Sequence, residues 1–178
     1  MRRFSVDART GSPESGGGTR CQPAGSADMN GPRPIDILMV DDNPGDARLT
    51  QEALKEIDLP HRFHWLSDGE QAIAYLKREG AFGHAPRPDL VLLDLNLPCT
   101  DGREVLARVK SQPDLQDIPI IILTTSQAED DIQRAYQLYA NSYVKKPVSM
   151  DQFIAVMWSI KRFWCGIVTL PSRREAAG

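Results

Sequence analysis

Four short apolar runs, each followed by a polar residue, stand out in the pattern of hydrophobic and polar positions along this chain. They span residues 35–40, 90–93, 118–123 and 143–145, and they lead to Asp41-Asp42, Asp94, Thr124 and Lys146. Continuous apolar runs of this length predict strands that are buried on both faces of a sheet. An alternating segment at 61–66 predicts a fifth strand. Helix-like segments separate the strands, which indicates an α/β fold with a mostly parallel sheet covered on both faces.

Capping signals place the helix boundaries. Asn43-Pro44 predicts the start of the first helix, because Asn is a good N-cap and Pro suits the first helical position. Ser67 and Glu70 have capping-box spacing and predict the start of the second helix, which Gly80 can close. Ser149 predicts the start of the last helix, with Gln152 three positions further on.

The fourth helix is predicted at about residues 128–139 from its apolar periodicity. The side chains at helical spacing should form its buried stripe, and they are Ile132, Ala135, Tyr136 and Tyr139.

Composition and charge exclude several classes of function. The 178 residues are 41% hydrophobic with a net charge of -3, which gives no reason to expect general nucleic-acid binding. No apolar stretch approaches the roughly 20 residues of a transmembrane helix, and none follows Arg2-Arg3 as in a secretory signal. The cysteines form no metal-type pair, which favours a reduced, cytoplasmic setting; they are Cys21, Cys99 and Cys165.

Residues 1–33 differ in composition from the rest of the chain. Gly16-Gly17-Gly18 lies among Ser, Pro, Thr and Arg, with few aliphatic side chains. Such a segment cannot bury enough surface to offset its ordering entropy, so we predict a disordered N-terminal segment. An alternative is that the natural start is Met29, directly before the folded part.

The carboxylates at the predicted strand ends indicate a metal site. Parallel α/β sheets bind ligands outside the carboxyl ends of their strands, so Asp41, Asp42 and Asp94 should meet there. Adjacent buried carboxylates are costly unless a cation is present, and Mg²⁺ prefers oxygen ligands. We expect Mg²⁺, or Mn²⁺, on Asp42, Asp94 and the backbone carbonyl of Asn96, with Asp41 holding a water ligand. The alternative is that these residues only cap the structure that follows them.

Lys146 and Thr124 complete the chemistry of a phosphorylation site. Carboxylates can act as nucleophiles on phosphoryl groups, so Asp94 is a candidate phosphoacceptor. Lys146 would neutralise part of the acidic charge and contact a phosphate oxygen, while Thr124 would donate its hydroxyl to another. Thr125 is a rival for the hydroxyl role, because strand alternation turns neighbouring side chains to opposite faces.

Taken together, these residues resemble the receiver domain of two-component response regulators over about residues 35–165. The resemblance rests on Asp41-Asp42, Asp94, Asn96, Pro98, Asp101-Gly102, Thr124, Tyr143 and Lys146-Pro147. It implies a doubly wound, flavodoxin-like sheet of strand order 2-1-3-4-5.

The resemblance also assigns roles. It implies that a sensor histidine kinase phosphorylates Asp94, and that Asp41, Asp42 and the Asn96 carbonyl occupy the metal positions. Thr124 and Lys146 match the catalytic hydroxyl and lysine of the family. Thr124 also matches the conformational switch, together with the aromatic Tyr143.

The end of the chain suggests a single-domain regulator. We expect a receiver domain at 34–165, a short C-terminal extension at 166–178, and no output domain. Several segments resemble the small regulators paired with bacterial phytochrome kinases, and they are residues 42–46, 86–88, 123–126 and 163–171.

Three rival functions remain open from the sequence. A phosphorylation-independent receiver-like binding module would keep only the fold, although such modules usually lose some of the site residues. A phosphatase or dehalogenase would use Asp94 as its nucleophile, but those families have a second aspartate at the position where this chain has Asn96. A nucleotide-binding fold would need a glycine fingerprint that the first turn lacks.

The last helix predicts an interface. It has more apolar surface than one inward stripe uses, carried by Phe153, Met157, Trp158, Ile160, Phe163 and Trp164. Because exposed apolar patches often mark interfaces, we expect a homodimer through the last helix, the fourth-fifth face or the C-terminal extension. The alternative is that the extension covers these aromatic residues within one chain.

Overall fold

One parallel sheet of five strands organises the chain. The computed structural model describes residues 33–56 and 60–171. Its strands are β1 Ile35–Val40, β2 His61–Leu66, β3 Leu90–Leu93, β4 Ile120–Thr124 and β5 Ser142–Lys145. They pair in parallel in the order β2-β1-β3-β4-β5. This confirms the predicted fold class and strand order.

Parts of the predicted domain organisation lie outside the described residues. They include the N-terminal segment up to residue 32, with Met29, and residues 172–178. Arg33, which we predicted to belong to the disordered segment, donates two hydrogen bonds of 2.9 Å to the carboxylate of Asp89.

Five helices follow the strands in alternation. They are α1 Pro44–Glu56, α2 Gly69–Lys77, α3 Gly102–Lys110, α4 Glu129–Gln137 and α5 Met150–Gly166, with a short 3-10 helix at Gly80–Phe82. Of the described helices, none has the length and apolarity to cross a membrane.

Strand alternation divides the core between the two faces of the sheet. In β1, Leu38 and Val40 pack in one cluster with α2, α3 and α4, whereas Ile37 and Met39 pack in another with α1 and α5. The continuous apolar runs are therefore explained by burial on both faces.

The second helix starts and ends at different residues from those predicted. Asp68, not Ser67, is the N-cap, and its side chain accepts a hydrogen bond from the backbone N–H of Gln71. The helix ends before Gly80, because Arg78 adopts a left-handed conformation with φ 58° and satisfies the last carbonyls. By contrast, Ser149 caps α5 as predicted, with its hydroxyl accepting from the N–H of Gln152.

The predicted buried stripe of α4 is confirmed for Ala135 and wrong for both tyrosines. Only Ala135 is buried in this helix, while Ile132 is half-buried. Tyr136 and Tyr139 are 51% and 76% exposed. The helix packs on the sheet through a narrower line than its apolar periodicity indicates, and it leaves both tyrosines at the surface.

The segment after α5 covers only part of the apolar surface of that helix. Val168 and Leu170 pack against the cluster that contains the buried Trp164. Trp158 and Phe163 nevertheless remain 50% and 48% exposed. Intrachain covering therefore accounts for Trp164 and leaves the other two aromatic residues at the surface.

Gly102 permits a close approach of two backbone segments beside Asp94. Its N–H donates to the carbonyl of Leu95 at 3.0 Å. A Cβ at this position would lie 2.1 Å from the carbonyl oxygen of Asp94. Because the obstacle is backbone, it cannot move aside as a flexible side chain would.

We predict that Gly102→Ala lowers the free energy of unfolding by about 1–3 kcal/mol, the usual cost of forcing extra volume into a packed region. Urea denaturation would measure the change. Gly166→Ala is the matched control, because no atom lies within 4 Å of a Cβ there. That control should be neutral or stabilising by up to about 1 kcal/mol, since Gly is unfavourable in a helix. Equal stability of the two variants would contradict the role of Gly102.

Candidate functional site

Backbone hydrogen bonds that extend the strand ladders fix the site residues at one edge of the sheet. The N–H of Asp41 donates to Leu66 O at 3.0 Å, and the N–H of Asp94 donates to Val40 O at 2.9 Å. The N–H of Lys146 donates to Thr124 O at 2.8 Å. The structure therefore brings together side chains that lie up to about a hundred positions apart in the sequence.

The ammonium group of Lys146 lies among three carboxylates. Its Nζ is 2.5 Å from Asp94 Oδ2, 2.7 Å from Asp41 Oδ2 and 2.8 Å from Asp46 Oδ2. Our sequence analysis did not include Asp46 among the site residues. It lies in the first turn of α1, and an acidic residue is favourable in the first turn of any helix. An aspartate at this position therefore did not by itself indicate a role in the site.

The carboxylates of Asp41, Asp42 and Asp94 form a group that suits a divalent cation. One oxygen from each lies within 4.8 Å of the others. Asp41 Oδ1 accepts a hydrogen bond from the N–H of Asn43 at 3.0 Å, but the buried Asp41 Oδ2 has no hydrogen-bond partner among the described residues. Its contact with Lys146 is therefore a charge contact, which leaves that oxygen free to bind a water ligand of a metal.

Burial and charge oppose each other in this site. Loss of solvation raises the pKa of Asp41 to about 6, despite the nearby charge of Lys146. Burial alone would lower the pKa of Lys146, but its close contacts with the carboxylates of Asp41, Asp46 and Asp94 outweigh the effect of burial and raise the pKa above its usual value. Lys146 is therefore charged throughout the physiological range.

Asn96 connects the acidic group to the hydroxyl side of the site. Its backbone N–H donates to Asp94 Oδ1 at 3.0 Å. Its side-chain amide donates to Thr124 Oγ1 at 3.2 Å and reaches Thr125 Oγ1 at 3.5 Å. Thr124 is fully buried, whereas Thr125 is exposed.

A second polar network extends from Tyr143 towards α3 and α4. The hydroxyl of Tyr143 donates to Ser126 O at 3.2 Å, and the hydroxyl of Ser126 donates to Asp131. Asp131 also forms an ion pair with Arg103 of α3. Burial raises the pKa of Tyr143, so its hydroxyl stays protonated as a donor. Our sequence analysis missed Ser126, Asp131 and Arg103, because only the fold brings them together.

Comparison with known proteins identifies the family. The model of the response regulator receiver domain matches residues 37–157, more than half of the chain. The chain belongs to this receiver domain family. Phosphoryl acceptance on an aspartate is the function of the family.

Individual relatives of this receiver domain include phytochrome-associated regulators. Response regulator Rcp1 from Synechocystis sp. is 46% identical over 136 residues, which cover 76% of this chain and 92% of Rcp1. The phosphorylated cyanobacterial phytochrome response regulator RcpA superposes with a TM-score of 0.75 at 47% identity, covering 78% of this chain and 99% of RcpA. The Mn²⁺-bound form of Rcp1 gives a TM-score of 0.74 at 45% identity, covering 78% and 100%.

The raised pKa of Asp41 predicts a pH-dependent stability. The carboxyl releases its proton near pH 3.8 in the unfolded chain but near pH 6 in the folded receiver domain. The unfolded state therefore ionises first. As the pH rises through this window, the free energy of unfolding falls by up to about 3 kcal/mol on account of this residue.

We expect Asp41→Asn to be more stable than the wild type at pH 7 in the presence of a chelator. The gain should shrink as the pH falls from 6 and vanish near pH 4. Urea denaturation at several pH values would measure it, with Glu52→Gln on the exposed side of α1 as the control. A gain of the same size at pH 4 and pH 7 would contradict this account of Asp41.

Proposed function

We propose that this chain is a phosphorylation-controlled switch in which Asp94 accepts a phosphoryl group from a sensor histidine kinase. The observation that carries the proposal is the buried contact of Asp94 with Lys146, beside the carboxylates of Asp41 and Asp42. The rival binding module, which would need only the fold, gives no reason for so much buried charge. The comparisons with known proteins likewise give it no support.

The transfer forms one bond and breaks another. A carboxylate oxygen of Asp94 attacks phosphorus in line, and a new P–O bond forms as the P–N bond of the phosphohistidine breaks. The bonding electron pair leaves with the histidine ring of the kinase. Lys146 and Thr124 donate hydrogen bonds to the transferring oxygens and stabilise their charge. Water later cleaves the acyl phosphate and releases inorganic phosphate, so the protein acts on its own aspartate and is not an enzyme with a free substrate.

The carboxylates fit a divalent cation, which we propose to be Mg²⁺, with Mn²⁺ as a substitute. Asp42, Asp94 and the backbone carbonyl of Asn96 would bind it directly, and Asp41 would bind one of its waters through Oδ2, which accepts no hydrogen bond from the described residues. When bound, the metal neutralises charge on the transferring phosphoryl group. The Mn²⁺-bound form of the related Rcp1 supports this proposal.

The output is a change in the surface of α4 and β5. We propose that the acyl phosphate draws the hydroxyl of Thr124 towards it and away from Asn96. Tyr143 then adjusts to the space that Thr124 leaves. Because Tyr143 bonds Ser126, and Ser126 bonds Asp131 of α4, this movement shifts an existing equilibrium of that surface.

The kinase partner is a sensor histidine kinase, and we propose a bacterial phytochrome as its class. The support is the similarity to RcpA, which is a cyanobacterial phytochrome response regulator, and to Rcp1.

We further propose a homodimer through the exposed aromatic surface at the C-terminal side. Trp158 and Phe163 of α5 remain half exposed after the following segment has folded back. Tyr136 of α4 and Tyr139, just after this helix, add further exposed aromatic surface. Desolvation of these rings by a second copy would favour association.

Phosphorylation of Asp94 can be tested by intact-protein mass spectrometry after incubation with acetyl phosphate and Mg²⁺. We expect one added phosphate on the wild type, and none on Asp94→Asn or in the presence of a chelator. Asp42→Ala should lose most of the incorporation, because it removes a direct metal ligand. Incorporation that is equal in the wild type and Asp94→Asn would contradict the role of Asp94.

The dimer can be tested by sedimentation over a concentration series. We expect the wild type to associate at micromolar concentrations and Phe163→Lys to weaken association about tenfold or more, since it places a charge in an apolar contact. Gln71→Lys on α2 adds the same charge elsewhere and should leave association unchanged. A wild type that stays monomeric at high micromolar concentration would contradict the proposal.

A further inference from the structure

Among the described carboxylates that contact Lys146, Asp46 alone does not belong to the metal-binding group. The oxygens that could hold a cation come from Asp41, Asp42 and Asp94. Asp46 Oδ2 instead accepts a hydrogen bond from Lys146 Nζ at 2.8 Å. An ion pair between α1 and the end of β5, 100 positions apart, thus lies directly beside the phosphoacceptor.

Local hydrogen bonds fix Asp46 in this place. The side chain of Asn43 accepts from the N–H of Gly45 at 2.8 Å, and the carbonyl of Asn43 accepts from the N–H of Ala47 at 3.1 Å. The hydroxyl of Thr50 donates to the backbone carbonyl of Asp46 at 2.9 Å. The first turn of α1 is therefore held at both ends, and the carboxylate of Asp46 needs no backbone movement to contact Lys146.

The three contacts of Lys146 have different fates during phosphoryl transfer. An ammonium group has three N–H donors, and here three carboxylates surround it. Asp94 would become an acyl phosphate, and Asp41 would hold a water ligand of the metal. Asp46 takes part in neither event, so its contact with Lys146 can persist from the resting state through the transition state.

We propose that Asp46 is a positioning residue that holds the Lys146 ammonium at the phosphoryl transfer site. The N–H group that points to Asp94 then changes its acceptor, from a carboxylate oxygen to a phosphoryl oxygen. The contact with Asp46 meanwhile keeps the ammonium group in place. A group that is already oriented stabilises the transition state without reorganisation. This inference rests on the proposed function, because it concerns the same reaction.

The effect of Asp46 can be measured as the rate of phosphate incorporation against acetyl phosphate concentration at saturating Mg²⁺. We expect Asp46→Asn to lower the maximal rate about tenfold, the loss expected for one charge-assisted hydrogen bond. Asp46→Ala should lower it further, because it removes the acceptor as well as the charge. The acetyl phosphate concentration at half-maximal rate should stay unchanged, since the lost contact acts on the transition state.

Glu52→Gln is the matched control, because it makes the same carboxylate-to-amide change in the same helix and breaks the exposed ion pair with Lys55. Its rate should equal that of the wild type. Thermal denaturation of each variant gives the folded fraction, so a purely structural effect of Asp46 would appear there and leave the rate per folded molecule unchanged.

Three results would overturn the inference. One is a maximal rate of Asp46→Asn within twofold of the wild type, and another is a faster rate, which would mean that Asp46 competes with the phosphoryl group for Lys146. The third is a change confined to the half-maximal concentration, which would mean that Asp46 acts on donor binding. A wild type that incorporates no phosphate would instead overturn the proposed function, and this inference with it.

Discussion

The buried ammonium of Lys146 among the carboxylates of Asp41, Asp46 and Asp94 is the interaction on which the site depends. Carboxylates that lose solvation at the end of a sheet are costly, and a single lysine cannot neutralise them all. Loss of solvation raises the pKa of Asp41 to about 6 although Lys146 lies beside it. In the proposed mechanism, a divalent cation and then a phosphoryl group on Asp94 would redistribute that charge. The stability of the resting site is thereby linked to its chemistry.

Strand alternation separates the chemical part of this site from its conformational part. Ile37 and Met39 precede Asp41, and Leu90 and Leu92 precede Asp94, on the face of the sheet that packs against α1 and α5. Ile120 and Ile122 precede Thr124 on the opposite face, which packs against α2, α3 and α4. The carboxylates thus lie on the side where α1 supplies Asp46, while Thr124 lies on the side of α3 and α4.

Asn96 joins the two parts. This residue contacts Asp94 through its backbone N–H and the buried hydroxyl of Thr124 through its side chain. Beyond Thr124, the contacts of Tyr143, Ser126 and Asp131 continue to the surface of α4. A short series of hydrogen bonds therefore connects Asp94 to α4, where Tyr136 is exposed. This arrangement fits a protein that reports chemistry by a change of surface rather than by turnover.

The sequence by itself determined the strands and the strand-end residues, because burial on both faces requires continuous apolar runs and each run must end at a polar position. Asp41, Asp94, Thr124 and Lys146 followed from that rule. The role of Ser149 as the N-cap of α5 was also predictable from the sequence, because it depends on a local hydrogen bond.

The tertiary structure decided how far each helix is rotated and how deeply it packs. Apolar periodicity indicated that Tyr136 and Tyr139 face the core, but α4 contacts the sheet mainly through Ala135. The period of apolar residues does not determine how deeply a helix packs. The role of Asp46 could not be predicted for the same reason, because it depends on how α1 packs. An acidic residue in the first turn of a helix is ordinary, and only the packing of α1 against the sheet and α5 places this one 2.8 Å from Lys146. Long-range charge contacts depend on the relative placement of elements, which no local pattern encodes.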